Sequence, residues 1–440
     1  MNSSSKFNSL KRVVSTWRCN VLSSTAPLTV AIIPIGGVGA RLYPLTVDTS
    51  KSMIRFLNRP LLEFILETLI TSGIREVYLG VSGYVNYVQV FEHFGSGEAL
   101  AHRFNLSGDQ FRVRYMPNIL SRGNAEAVLV TLKYYNIKGD VLVTQCDTVF
   151  SNLDISRVWY YYSVRNCDML VVLKKAKSFD EITRYGVAKL GEDNVVEYFV
   201  EKPRKPEEAP SDLINTGIYV LSSLRFLEFF ESGAGARLYR EGYVDFGRDV
   251  IPAMIRDGYR VCGYPEELEW FDVGTPEAYL EAVFYFLKNT PPERLGVDFL
   301  YEGVRAMGRR ALSREFQRNL VERMKSGLVT IKGDVLIGRH CSIGDHVEIS
   351  DSVIDHYTVI SEGVIVERSI VMDRCHLGRG ARVVRSVVGR HVIIDEDAVV
   401  EDSIIGNNVY IGRGAVVKNT RIWPGRYIPP GTVLVGVTLS

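Results

Sequence analysis

The segment Gly36–Met53, GGVGARLYPLTVDTSKSM, combines residue types that together handle phosphate. It follows the apolar run VAIIP, which reads as a strand. Gly36, Gly37 and Gly39 leave backbone N–H groups bare at the end of that strand, and Arg41 and Lys51 add two cations on the same connection. Bare amides followed by a guanidinium and an ammonium can surround a group rich in anionic oxygens, so the expected chemistry is that of an enzyme acting on a nucleotide. Two common phosphate loops do not fit. Leu42 stands where GxGxxG requires its third glycine, and GxxxxGK followed by Ser or Thr is absent.

Such a loop needs a scaffold. From Thr29 to about Asn289 the pattern alternates strands with helices. LTVAIIPI and REVYLGVS read as compact strands, and RPLLEFILETLITSGI between them has helical spacing and stops at Gly73. FRVRYM, DVLVTQCD and DMLVVLKKA add further strands. The series predicts an α/β domain with a mixed, mostly parallel sheet. Asp147 closes DVLVTQC, and Asp272 follows Trp270-Phe271, so both acids stand at the ends of apolar segments, where α/β folds open their sites. Each alone reads equally well as a turn or capping aspartate.

Residues 290–325 change character, with PPERLGVDFL opening a connector and REFQRNLVERMKSG forming a charged helix. From about residue 327 serine-apolar pairs recur every 17 residues, at Ser352, Ser369, Ser386 and Ser403. Three apolar columns keep the same period: Ile337 to Ile422, Ile343 to Ile428, and Ile349 to Leu434. Within a repeat they are separated by six, six and five residues, the arithmetic of a triangular coil with one branched side chain per face pointing inward. Six members in each column predict about six coils. The expected division is an extension over 1–28, disordered or loosely docked, a catalytic domain over 29–290, a linker with a bridging helix over 291–326, and the coil over 327–440.

The 440 residues exceed one ordinary core, and 46% hydrophobic with 23% charged content is that of a soluble protein. A net charge of +1 excludes a global electrostatic case for nucleic acid, so phosphate affinity must come from local groups. No apolar run reaches the length of a membrane span. The six cysteines form no CxxC, and reduced thiols in a cytoplasmic protein are expected. The prism's ends and flat faces favour a homo-oligomer. Acyltransferases use the same coil with a histidine base, for which His340, His346, His356, His376 and His391 are candidates.

GGVGARLYPLT…SKSM resembles the signature of sugar-1-phosphate nucleotidylyltransferases, written GGxGTRLxPLT…PKPM. The resemblance continues through QCD at Asp147, YGVAKL from Tyr185, VEKP from Val200, NTGIYV from Asn215 and WFDVGTPEAY from Trp270. It implies a Rossmann-like nucleotidyltransferase domain followed by a left-handed parallel β-helix. The implied reaction is attack of a sugar 1-phosphate on the α-phosphorus of a nucleoside triphosphate, with pyrophosphate leaving. By the same resemblance Arg41 grips the triphosphate, Lys51 covers its α- and β-phosphates, and Lys202 holds the sugar phosphate. Asp147 and Asp272 hold Mg²⁺. Glu201 and Asn215 meet sugar hydroxyls, with Gly186 and Gly217 allowing close backbone approach. Gly36, Gly37 and Gly39 approach the nucleotide, and Gly123-Asn124 approaches base and ribose. The plainer alternatives are a helix cap for Asn124, a turn-stabilising role for Asn215, an ordinary surface salt bridge for Glu201 and surface charges for Lys51 and Lys202.

The chain departs from the pattern at Ala40 for threonine, at Ser50 and Ser52 for the prolines around Lys51, at Arg55 for a frequent proline, and at Asn124 for threonine. The arrangement most resembles mannose-1-phosphate guanylyltransferases, so GTP with mannose 1-phosphate leads. Glucose-1-phosphate adenylyl-, uridylyl- or thymidylyltransferase, a regulatory or scaffold subunit, and a bifunctional enzyme with an acyltransferase site are the alternatives.

Overall fold

The computed structural model describes residues 27–118, 122–301, 303–308 and 311–440. The extension expected over 1–28 falls, up to residue 26, outside the described residues. Contacts divide the chain into two compact units: one runs up to Gly36 and resumes over Leu66–Trp270, and the other joins Gly37–Ile65 to Phe271–Ser440.

The first unit is built on a nine-stranded mixed sheet. At its heart Val30–Ile35 pairs in parallel with Glu76–Ser82 and with Asp140–Val143. The strand is apolar on both faces, and Ala31, Ile32, Ile33 and Ile35 are all buried, as a strand covered on both sides requires. Pro34 is tolerated there because the pairing with Asp140–Val143 ends at Ile32, leaving no ladder bond for its missing N–H on that side. Beyond Asp140–Val143 the pairing is mostly antiparallel, with Val261–Pro265 alongside Met169–Lys175 as a further parallel pair. Leu213–Ser222 runs antiparallel to Asp140–Val143, Met169–Lys175 and Gly186–Leu190, and Gly186–Leu190 runs antiparallel to Val196–Glu201. The structure joins Cys167 to Cys262 in a disulfide with Cα atoms 5.9 Å apart, where reduced thiols were expected. The two cysteines are 95 residues apart and meet because Met169–Lys175 pairs with Val261–Pro265.

The second unit contains the coil. Three parallel sheets, each laddered at the 17-residue period, form its three faces. The three apolar columns form one continuous core, with Leu434 partly buried at its edge. The corners turn through the left-handed region, one column of them running His340, Tyr357, Arg374, His391 and Asn408 at φ of 58° to 60°. The recurring serines are buried and form a ladder. Each hydroxyl donates to the carbonyl two residues earlier, as Ser386 does to Val384 at 2.7 Å. Each also accepts the N–H one coil later, as Ser386 does from Ser403 at 3.0 Å.

The expected linker is partly a continuation of this prism. Val297–Tyr301 and Val304–Met307 pair antiparallel, and the second of them pairs in parallel with Val335–Ile337. The helix Ala311–Lys325 contributes Leu320 to the prism's core. The catalytic domain expected over 29–290 is shared between the two units. Gly37–Ile65 groups with the prism because its polar side chains bond there: Arg55 to Asp355 and Asn58 to the carbonyl of Ile354.

Candidate active site

In the second unit the glycine-rich connection is organised by two short 3-10 turns, Ala40–Leu42 and Lys51–Met53. Gly37 and Gly39 have φ of +82° and +60°, where an L side chain is strained. Thr46 closes the loop by donating its hydroxyl to the carbonyl of Gly39 at 2.8 Å, and Leu42 buries its side chain beneath. Arg41 is left pointing outward, with its side chain 67% exposed and Nη2 4.0 Å from Oδ2 of Asp272. Lys51 is its opposite, only 10% exposed, with Nζ 3.9 Å from Oδ1 of the same Asp272. One carboxylate therefore stands between the two cations. Gly274 closes this arrangement, since a Cβ there would sit 3.0 Å from both Arg41 Nη2 and Asp272 Oδ1. Ser50 and Ser52, in place of the two prolines, are buried and share a 3.0 Å hydrogen bond across Lys51.

Three of the coil's candidate histidines occupy structural positions. His340 and His391 occupy the left-handed corner column, and His340 stacks on Tyr357 at 4.9 Å. His356 is buried, and its Nδ1 accepts the Arg339 N–H at 2.9 Å. Burial lowers its pKa to about 4, so the imidazole is neutral near pH 7.

In the first unit the centre is Glu201. Gly186 lies opposite it in the antiparallel pair, and a Cβ at Gly186 would come 2.6 Å from Glu201 Oε2. Gly247 approaches the same oxygen, with a Cβ position 2.3 Å away. The carboxylate is thus held between two bare backbones. Burial raises its pKa to about 7, with the Asp245 charge adding to the rise and Lys202 and Arg248 opposing it. Lys202 has Nζ 3.6 Å from Glu201 Oε1 and a 63% exposed side chain, on a residue held at φ 51°. A non-glycine residue in that region is strained, and its N–H is fixed by the carbonyl of Tyr185 at 3.1 Å.

A carboxyl with a raised pKa stabilises the fold most below its ordinary range. That contribution is lost as pH rises through about 7. Glu201→Gln is expected to be insensitive to this change. Between pH 4.5 and 8 the parent should lose on the order of 2 kcal/mol relative to the variant in urea unfolding. Equal pH dependence of the two proteins would refute the assigned shift.

Asn215 spans a bulge, donating Nδ2 to the Tyr219 hydroxyl and accepting the Gly217 N–H on Oδ1, both at 2.9 Å. Gly217 has φ +74° and lies against Gln145, 2.9 Å from a Cβ position. Asn124 begins the helix Asn124–Tyr135, but Gly123 occupies the capping position, and Asn124 Oδ1 instead accepts the Phe246 N–H at 3.0 Å. Asp147 is half-buried, in the turn after Asp140–Val143. Asp245 and Gly247 were not singled out from sequence. Asp245 Oδ1 accepts the N–H groups of Gly247 and Arg248, a capping pattern legible in DFGRD but silent about Glu201.

The site residues thus form two local groups: Gly37, Gly39, Arg41, Lys51 and Asp272 belong to one unit, and Gly36, Gly123, Asn124, Asp147, Gly186, Glu201, Lys202, Asn215 and Gly217 to the other. Among the described residues no three His, Cys, Asp or Glu side chains form a cage for a metal. Mg²⁺ does not ask for one, since it is commonly held by one or two carboxylates with phosphate oxygens and water completing the octahedron. Asp147 in the first unit and Asp272 in the second each carry oxygen donors of the kind Mg²⁺ takes. No helix among the described residues is long and apolar enough to cross a membrane.

Comparison with known proteins agrees with this chemistry. The family described as Nucleotidyl transferase matches residues 30–289. The GMPPB C-terminal domain matches 328–403, and the GlmU-like, C-terminal hexapeptide family matches 368–439. A glucose-1-phosphate adenylyltransferase of Thermus thermophilus is 29% identical over 286 residues, covering 60% of this chain and 67% of the relative. A UTP–glucose-1-phosphate uridylyltransferase of Synechocystis is 24% identical over 360 residues, covering 80% of this chain and 85% of the relative. The bifunctional protein GlmU of Methanococcus vannielii is 31% identical over 269 residues, covering 60% of this chain and 57% of the relative. A solved UDP-glucose pyrophosphorylase complexed with UDP-glucose shares the fold, with a TM-score of 0.50 at 20% identity over 60% of this chain and 99% of that one. The first family match spans more than half of the chain, and the hexapeptide match identifies the prism as a left-handed parallel β-helix. The chain belongs to the nucleotidyl transferase family and is a sugar-1-phosphate nucleotidylyltransferase.

Proposed function

We propose that the sugar is glucose 1-phosphate and that ATP is the preferred triphosphate, giving ADP-glucose and pyrophosphate. The observation that carries the phosphate chemistry is the Asp272 carboxylate set between Arg41 and Lys51 on the glycine-rich connection. Arg41 and Lys51 neutralise the triphosphate as the α-phosphorus is attacked, which is most of what such a transfer demands of a protein. Lys202 binds the incoming sugar phosphate, and Glu201 and Asn215 bind sugar hydroxyls. Asp147 and Asp272 would hold Mg²⁺, which supplies charge neutralisation on the phosphates when bound.

The choice of glucose takes the alternative to the first expectation of GTP with mannose 1-phosphate. Relatives named for glucose 1-phosphate support this reading, and adenylyltransferases recur among them. The GMPPB match covers only β-helix residues. Initial rates of pyrophosphate release with ATP, UTP, dTTP and GTP against glucose, mannose and glucosamine 1-phosphates test this. Highest kcat/KM is expected with ATP and glucose 1-phosphate. Preference for GTP and mannose 1-phosphate would reverse the assignment, and no turnover with any pair would favour a scaffold subunit.

Self-association through the β-helix is part of the same reading. Val359, Ile393 and Tyr427 are exposed along one column of a sheet, and Tyr427 stacks on Tyr410 at 5.0 Å. Sedimentation velocity is expected to show an oligomer that Ile393→Glu weakens. A monomeric parent would end the proposal.

A further inference from the structure

The two serines beside Lys51 leave its loop without the φ restriction that prolines would impose. The second unit restrains the loop from outside at both ends. Upstream, Asn407 Nδ2 donates to Asp48 Oδ1 at 2.7 Å and to Thr49 Oγ1 at 3.2 Å. Asn407 is itself fixed, because its Oδ1 accepts the Arg390 N–H at 2.8 Å. Downstream, Arg55 makes a two-pronged pair with Asp355, Nε to Oδ2 at 2.6 Å and Nη2 to Oδ1 at 2.9 Å. The Asp355 side chain is only 2% exposed. Asp373 lies 4.0 Å from Arg55 Nε and is held by Arg390 at 2.7 Å. Asn58 adds a bond to the Ile354 carbonyl at 3.1 Å, and the Tyr279 hydroxyl donates to the Arg55 carbonyl. Asp373, Arg390 and Asn407 are successive members of one 17-residue column. One edge of the β-helix therefore grips the chain three and two residues before Lys51 and four residues after it.

We propose that Asp355 and Asn407 of the β-helix are positioning residues for Lys51, replacing by external anchorage the internal restraint of the two absent prolines. The proposal rests on Lys51 acting on the triphosphate as set out above. Arg55 fits this role because its fork matches a carboxylate bidentately, which proline at that position cannot do. A lysine that must meet developing phosphate charge tolerates little displacement, and misplacement of about 1 Å can cost on the order of 10²-fold in rate.

The test uses the full chain with Asp355→Asn, Asn407→Ala, Lys51→Ala and the double variant Asp355→Asn with Lys51→Ala. Each of the two anchor variants is expected to lower kcat about ten- to hundred-fold, with KM for the sugar phosphate within about two-fold. In the Lys51→Ala background Asp355→Asn should cost less than about two-fold, because the group it positions is gone. Equal loss in both backgrounds, or unchanged kcat in both anchor variants, would overturn the proposal. If Asp355→Asn does not fold, Asn407→Ala decides. Hydrogen exchange of the amides over residues 48–56 is independent of turnover and should quicken in the anchor variants. Unchanged exchange would overturn the anchorage whatever the activity. Quickened exchange in a protein whose parent shows no nucleotidyl transfer would support the anchorage and count against the functional reading instead.

Discussion

Asp272→Asn is expected to lower kcat by about 10²–10³-fold, the usual loss when a preorganised charged group is removed from a transfer site. The carboxylate is the common neighbour of Arg41 Nη2 at 4.0 Å and Lys51 Nζ at 3.9 Å. Asparagine keeps the shape and removes the charge, so both cations lose a neighbouring carboxylate. The side chain is also the proposed Mg²⁺ ligand, so the Mg²⁺ concentration for half-maximal rate should rise together with the fall in kcat. Initial rates across a Mg²⁺ series separate the two effects. A variant with the parent's Mg²⁺ dependence and turnover would remove Asp272 from the reaction.

Gly123→Ala should be the most destabilising single methyl addition in the first unit, costing about 3 kcal/mol or more. Its φ is +105°, and a Cβ there would lie 2.0 Å from the Val244 carbonyl oxygen. That carbonyl cannot retreat freely. It accepts the Ala125 N–H at 3.2 Å, and the Val244 N–H donates to Arg122 at 2.6 Å. Gly139→Ala is the control, with φ +95° and nothing within 4 Å of the added carbon. Its cost should be only the backbone strain, about 1 kcal/mol. Urea unfolding of the two variants measures the difference, and equal losses would mean that close approach at Gly123 is not what demands glycine.

These outcomes mark where the sequence was readable. The β-helix was legible because its period repeats the same physical requirement, and Ile337, Ile343 and Ile349 each begin a column that the core retains. The serine period was visible, but its reason was not, since a hydroxyl bridging two coils is a relation between residues 17 positions apart. Arg41 and Lys51 were found from charge and spacing. Their common counter-ion arrives more than two hundred residues later, at Asp272. The pincer on Glu201 was half legible: Gly186 belongs to a recognisable motif, whereas Gly247 is brought in by a distant turn. Val297–Tyr301 and Val304–Met307 were not legible as strands because they lack the repeat, though they join the same sheet. Arg55 looked like a lapse from the family pattern until Asp355, 300 residues away, supplied its partner.

The serine ladder has an arrow. Each hydroxyl places its hydrogen closest to a carbonyl of its own coil and accepts the N–H of the residue one coil on, as Ser386 does between Val384 and Ser403. The column therefore transmits orientation one way along the prism axis, like a ratchet. A fault at any rung leaves its successor with a buried N–H and no acceptor, while its predecessor is untouched.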